Sequence, residues 1–371
     1  MLHAFDSSTG QEIWAYVPSA VLPNLYKLAD KNYASQHRYF VDGSPVQGDV
    51  KIGTDWKTIL VGGLGAGGRS YYALDVTDPD SPKALWEFSN PNLGVTLGKP
   101  EIAKLKNGTW VVLVASGYNN VSPGTGRGYL FVLDAATGSV IRSIDTGEGD
   151  TATPSGLAHI RAWVDNTIND NTVQRVYGGD NLGNVWRFDV NNDIGDPGYD
   201  AEKLAILRGA TGNVQPVTAR PELGLVDSNA VVYVGTGRYL GEPDLTSTDT
   251  QTIYAIKDKL TTSGYGNPRD ALNKFVRQTL TDTTCSASAG TVTAYCAEGR
   301  KARSGSSNAV DLAADDGWYV DLPASGERAT TDPQLVLGTL VFTTRVFSGD
   351  ACKPAGNSFL NFFDYRNGGP V

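Results

Sequence analysis

The sequence predicts an all-β protein: a β-propeller of about six or seven blades, each a four-stranded antiparallel repeat, with loops inserted between strands. Three observations predict it. The first is a pattern of apolar strand, glycine-rich turn, strand ending in Asp, tight turn and aromatic-bearing strand. It occupies Val61–Gly68, Tyr71–Val76 and Ala84–Phe88 and recurs along the chain. The second is its spacing of roughly 55–70 residues, which marks blades carrying insertions. The third is composition, since 43 Gly, 18 Pro and 17 Tyr in 371 residues favour short strands and turns over helices. One blade is too small to bury both of its faces, so stacking neighbours must supply the core.

The chain opens on Leu2-His3-Ala4-Phe5-Asp6, the turn Ser7-Ser8-Thr9-Gly10, and Glu12-Ile13-Trp14-Ala15-Tyr16. These match the third and fourth strands of the unit. A loop, Pro18 to Tyr39, follows, with one helical turn expected at Val21–Tyr26. Then Asp42-Gly43-Ser44-Pro45-Val46 leads into a strand through a proline. Proline is tolerated at a strand start because it cannot donate to a ladder. The same step recurs at Pro100, Pro154, Pro221 and Pro333.

After each step comes a strand running into small residues: Ile59–Gly63, Val111–Gly117, Arg175–Asp180, Val231–Gly237 and Leu340–Thr344. The third strands are Tyr71–Val76, Tyr129–Asp134, Asn184–Asp189, Thr252–Ile256 and Ser358–Asp364. Most close on Asp; in the fourth, Asp258 comes one place late. An Asp at a strand end can bond the backbone of a Thr-Gly turn, which accounts for Asp6 with Thr9-Gly10 and Asp134 with Thr137-Gly138 without any catalytic role. The expectation is one propeller domain over 1–371. Two insertions interrupt it: Asp165–Gln174, and a longer Ser/Thr/Ala/Gly-rich region, 259–317, expected as a surface excursion.

Forty acidic against 31 basic residues give a net charge of −9 with no basic block, which argues against a nucleic-acid partner. No apolar run approaches the roughly 18 residues of a membrane helix. The chain starts in mid-repeat at its single methionine, with no signal peptide, so a fragment of a longer exported protein is expected. Cys285 and Cys296 bracket a Ser/Ala/Gly/Thr-rich loop that a disulfide would staple. Loop cysteines fit an oxidising compartment, three unpaired thiols being the alternative; Cys352 has no evident mate.

Chemistry concentrates at one place. Asp165-Asn166-Thr167-Ile168-Asn169-Asp170-Asn171-Thr172-Val173-Gln174 is dense in oxygen donors of the kind calcium takes in sets of about six to eight. It lacks the glycine and closing acid of an EF-hand loop, so a solvated Asx-rich turn stands beside the metal reading. Elsewhere, His3, His37 and His159 lack metal-type spacing, and neither Ser116-Gly117 nor Ser155-Gly156 forms a nucleophile elbow. The glycine run Gly62–Gly68 is followed by a strand, not a helix, so it reads as a blade turn instead of a phosphate cradle. No RGD tripeptide occurs. The seven tryptophans fall in or beside strands, where inter-blade packing explains them.

Several long strings resemble the C-terminal domain of the PilC/PilY family of type IV pilus tip-associated adhesin and biogenesis proteins. They are Leu2–Gly10, Val61–Gly68 with Tyr72–Pro79, Tyr177–Asp189, Gly317–Arg328 and Leu340–Thr344. The resemblance runs the length of the chain. It implies a non-enzymatic, exported protein at the pilus tip, cell surface or outer membrane. Its implied roles are to support pilus extension against retraction, surface attachment and twitching motility. Implied partners are minor pilins or other tip components and a host or abiotic surface. It also implies a calcium loop at Asp165–Gln174, with Asp165, Asn169, Asp170 and Asn171 as ligands and Gln174 where the family has an acid. A reading from another class is a quinoprotein-like (PQQ) dehydrogenase, since Ala4-x-Asp6-x-x-Thr9-Gly10-x-x-x-Trp14 resembles the tryptophan-docking repeat of those propellers. The adjacent cysteine pair typical of that class is absent here.

Overall fold

The computed structural model describes residues 1–166, 169–195, 197–285, 301–350 and 353–371. The chain forms two compact units. The first comprises Met1–Asp180 and Trp186–Glu202; the second comprises Asn181–Val185 and Lys203–Val371.

In the first unit a hairpin, β1 (Leu2–Phe5) and β2 (Glu12–Tyr16), precedes a 3-10 helical segment at Ser19–Ala29. That segment is longer than the single turn expected at Val21–Tyr26. Four strands then pair in order: β3 (Val46–Ile52), β4 (Asp55–Gly63), β5 (Tyr71–Asp75) and β6 (Lys83–Phe88). The next set is β7 (Glu101–Lys104), β8 (Trp110–Ala115), β9 (Tyr129–Asp134) and β10 (Val140–Asp145). A third set follows as β11 (His159–Asn166), β12 (Asp170–Gly179), β13 (Asn184–Phe188) and β14 (Ala201–Ile206), the chain passing between units within the last two.

The second unit continues with β15 (Glu222–Val226), β16 (Asn229–Gly235) and β17 (Thr252–Asp258). The insertion supplies β18 (Phe275–Gln278), β19 (Leu280–Thr284) and β20 (Lys301–Gly305) before β21 (Gly317–Asp321) closes the sheet beside β17. The last sheet holds β22 (Glu327–Arg328), β23 (Gln334–Val336), β24 (Thr339–Asp350) and β25 (Lys353–Asp364). The strands expected from the proline steps and Asp-closed runs are therefore present, several longer than their apolar cores.

Burial explains why these strands read as continuous apolar runs despite antiparallel pairing. Side chains alternate across a strand, yet both faces of the middle strands are covered. On β8, Val111, Leu113 and Ala115 join a cluster with Ile160, Val176, Trp186 and Phe188. Val112 and Val114 of the same strand face the other way, into a cluster with Ile59, Val61, Tyr71 and Phe88. In the second unit Val231, Tyr233, Ile253 and Trp318 pack on Leu340, Phe342 and Phe363. Each large apolar side chain so buried contributes about 1.5–3 kcal/mol.

Asp-closed turns follow the third strands of the units. At Asp6, Asp134 and Asp364 the Asp backbone N–H donates to the residue five places on, and the glycine four places on donates to the Asp carbonyl. The Asp134 carboxylate accepts from Ala136 N, Thr137 N and Thr137 Oγ1 at 2.9–3.0 Å. The equivalent bonds from Ser8 and Thr9 push the Asp6 carboxyl down to about 2.

The insertion is less peripheral than its composition predicts. The strand β18 lies parallel to β21 as a fifth strand. From β20, the side chain of Arg303 grips the fully buried Glu327 carboxylate in a fork at 2.6 and 2.7 Å and bonds Asp282 at 2.8 Å. Two-point pairing of this kind fixes orientation as well as charge, so the hairpin β19–β20 is anchored to the last sheet. Residues 286–300, including Cys296, and Cys352 lie outside the described residues.

Tryptophans tie one blade to the turn of the next. From β6, Trp86 Nε1 donates to Ala135 O at 2.9 Å, and its ring lies against Gly138, where an added Cβ would sit 2.6 Å from it. From β2, Trp14 Nε1 donates to Pro79 O at 2.8 Å, in the turn after β5. In the second unit Trp318 of β21 packs against Gly368 in the turn after β25, with 2.5 Å for an added Cβ. Gly138 also has φ +69°, which disfavours a side chain. Replacing Gly138 by Ala should therefore lower stability by about 1–3 kcal/mol, read by urea denaturation; unchanged stability would deny the close ring-to-turn contact.

Candidate functional site

The oxygen-rich segment Asp165–Gln174 forms the tip of the β11–β12 hairpin, with Asn166 opposite Asp170. It is mostly strand instead of inserted loop, because Trp163 and Val173 anchor its two arms in the core. Thr167 and Ile168 lie outside the described residues.

The four expected ligands do not converge. Asp170 and Asn171 are successive strand residues, so their side chains leave opposite faces. The Asp170 Oδ1 accepts from Lys104 Nζ at 2.7 Å and from Thr172 Oγ1 at 2.6 Å. A parallel bridge between Thr172 and Lys104 on β7 brings that ammonium into reach. The Asn171 Nδ2 turns to Ile102 O at 3.4 Å. Asp165 Oδ1 accepts from Trp163 Nε1 at 2.6 Å. Asn169 caps the turn through its backbone N–H, which donates to Asn166 Oδ1 at 3.1 Å.

A calcium ion at this tip would have to displace partners the side chains already hold. Calcium wants about six to eight oxygens around one point; here the two carboxylates serve a lysine, a threonine and an indole. Among the described residues no group of three or more His, Cys, Asp or Glu is placed to hold a metal. The histidines are dispersed: His3 bonds Glu12 on the neighbouring strand at 2.6 Å, His37 lies in a loop against Tyr39, and His159 opens β11.

Lys104 first, then Thr172, holds the Asp170 carboxyl below the usual carboxylate range. A depressed carboxyl stabilises the fold fully above its unfolded value and loses that contribution as pH falls through the folded one. Asp170 is exposed, so screening keeps the effect small.

Sequence reading passed over a concavity in the first unit, formed by the loop after β2 and the glycine turn before β5. Its lining includes Asn24, His37, Arg38, Tyr39 and Phe40. The available signal was aromatic and cationic residues interleaved through Tyr26-Lys27, Lys31, Tyr33 and His37-Arg38-Tyr39.

Four-stranded units with Asp-closed turns and tryptophans docked on the following turn define the β-propeller class, and they account for the Ala4-to-Trp14 pattern as blade packing. A family model described as the PilY1 beta-propeller domain matches residues 1–294. The chain belongs to the PilY1 family. A type IV pilus biogenesis factor PilY1 homolog of Xylella fastidiosa is 34% identical over 404 aligned positions, covering 100% of this chain and 25% of that protein. Type IV pilus biogenesis factor PilY1 of Pseudomonas aeruginosa strain PAK is 31% identical, covering 100% of this chain and 34% of its own length. The crystal structure of the Pseudomonas aeruginosa PilY1 C-terminal domain superposes with a TM-score of 0.76 at 29% identity, covering 100% of this chain and 77% of that one. The chain spans between a quarter and about a third of these curated relatives.

If Lys104 stands where a cation would, Lys104→Met should raise the Asp170 pKa toward an ordinary carboxylate value in an NMR titration of the carboxyl carbon. An unmoved titration would deny the ion pair.

Proposed function

We propose that this chain is the propeller module of a type IV pilus biogenesis factor that supports pilus extension against retraction, surface attachment and twitching motility. The observation that carries the reading is end-to-end likeness to the PilY1 C-terminal domain, in sequence and in fold. Its place is exported, at the pilus tip, cell surface or outer membrane, and its partners are minor pilins or other tip components and a host or abiotic surface. No helix among the described residues is long and apolar enough to cross a membrane. The acidic balance of the chain fits protein partners better than nucleic acid.

A Cys285–Cys296 bridge belongs to the same exported reading. Cys285 directly follows β19 and is 5% exposed. Peptide mapping without reduction should recover the two cysteines in one linked species, and separate alkylated peptides would remove the bridge. Calcium regulation through Asp165, Asn169, Asp170 and Asn171 is proposed in one form only, an ion competing with Lys104 for the Asp170 carboxylate. A calcium-dependent rise in melting temperature that Asp170→Asn abolishes supports it. Identical melting in calcium and in chelator removes calcium from the account.

The proposal as a whole is tested in the native cell by deleting the segment that encodes residues 1–371. Surface pili and twitching zones should fall sharply, and pili should return when the retraction motor is also removed. Normal piliation and twitching in the deletion strain would overturn the reading.

A further inference from the structure

We propose that the concavity between the loop after β2 and the glycine turn before β5 binds a hexuronate, a pyranose ring bearing a carboxylate. The cavity measures about 220 Å³, below the roughly 300–1,000 Å³ of pockets for drug-sized ligands, so it admits a single ring. Small residues complete its lining: Ala20, Val21, Ala66 and Gly67. Gly67 is required there, since a Cβ would lie 2.0 Å from Phe40 O.

Aromatic groups stand at its side. Tyr39, 56% exposed, meets His37 edge-on at 5.1 Å between ring centres, and His37 in turn lies 5.6 Å from Tyr33. Tyr33 Oη donates to Arg38 O at 3.1 Å and steadies the backbone that carries the cation. Such rings offer an apolar face to the C–H side of a sugar.

The guanidinium decides the ligand's charge. Among the described residues Arg38 has no carboxylate partner; its side chain makes one long bond, from Nη1 to Asn24 Oδ1 at 3.4 Å. A guanidinium presents planar paired donors that match a carboxylate in two-point fashion. Between β2 and β3, residues 17 to 45, there are three cations, Lys27, Lys31 and Arg38, against two carboxylates, Asp30 and Asp42, in a chain of net charge −9. An anionic ligand is therefore drawn to this loop and repelled from most of the surface.

The lining favours a sugar over a peptide carboxyl terminus. Extended peptides gain affinity by adding to an open strand edge, and no lining residue here lies in a strand. The inference gives the proposed attachment a ligand class and rests on that reading for its biological meaning. Its physical test does not depend on pili.

The experiment titrates the 371-residue chain with sodium glucuronate, followed by saturation-transfer NMR and calorimetry, beside glucose and N-acetylalanine. Glucuronate should bind saturably, at least tenfold tighter than glucose or N-acetylalanine. Arg38→Gln should abolish that preference while leaving the melting temperature unchanged, because the side chain is exposed. Tyr39→Ala should weaken the sugar at least threefold. No saturable binding, equal binding of glucose, equal binding of N-acetylalanine, or full glucuronate binding by Arg38→Gln would each overturn the site. A negative result here leaves the pilus phenotype of the deletion strain untouched, and the reverse also holds.

Discussion

The structure depends on an indole seated on a neighbouring turn. Trp86 closes over the turn that follows β9, and its Nε1 is satisfied by Ala135 O. The turn is shaped by Asp134, whose carboxylate takes three donors, and by Gly138, whose missing side chain makes room for the ring. Without the glycine the ring cannot approach, and without the Asp bonds the turn has free N–H groups that must be satisfied elsewhere. Trp14 repeats the indole bond against the turn after β5, and Trp318 repeats the ring-on-glycine contact against the turn after β25. Apolar packing between strands supplies most of the stabilisation, but these contacts set where one blade stops relative to the next.

That economy explains how much was legible in the sequence. Asp6 and Asp134 with their downstream glycines marked the turns, Asp364 marked a strand end, and the strands fell where apolar runs met them. The anchoring of the long insertion was not legible. The grip of Arg303 on Glu327 joins residues 24 positions apart across an insertion of small polar residues. Nothing local announces a buried carboxylate waiting for an arginine. The partners of the hairpin tip were not legible for a related reason. Asp165, Asn169, Asp170 and Asn171 supply oxygen in composition, but strand alternation splits Asp170 from Asn171. The distant Lys104 reaches Asp170 through a parallel bridge that no spacing rule foretells.

Function separates from scaffold along the same line. Strands, Asp-closed turns and docked tryptophans are committed to the fold by their packing. Groups with spare capacity gather on loops, above all between β2 and β3, where aromatic rings share a small cavity with a guanidinium that has no carboxylate partner among the described residues. Loops held between paired strands can present a binding surface without changing how those strands pack.

A double-mutant cycle between Trp86 and Gly138 tests the docking most directly. The added methyl of Gly138→Ala clashes only while the indole is present. Its cost should therefore shrink in the Trp86→Ala background, leaving the positive-φ penalty and a coupling on the order of 1 kcal/mol or more. Strictly additive losses in urea denaturation would show that ring and turn do not act as one contact, and would contradict the account.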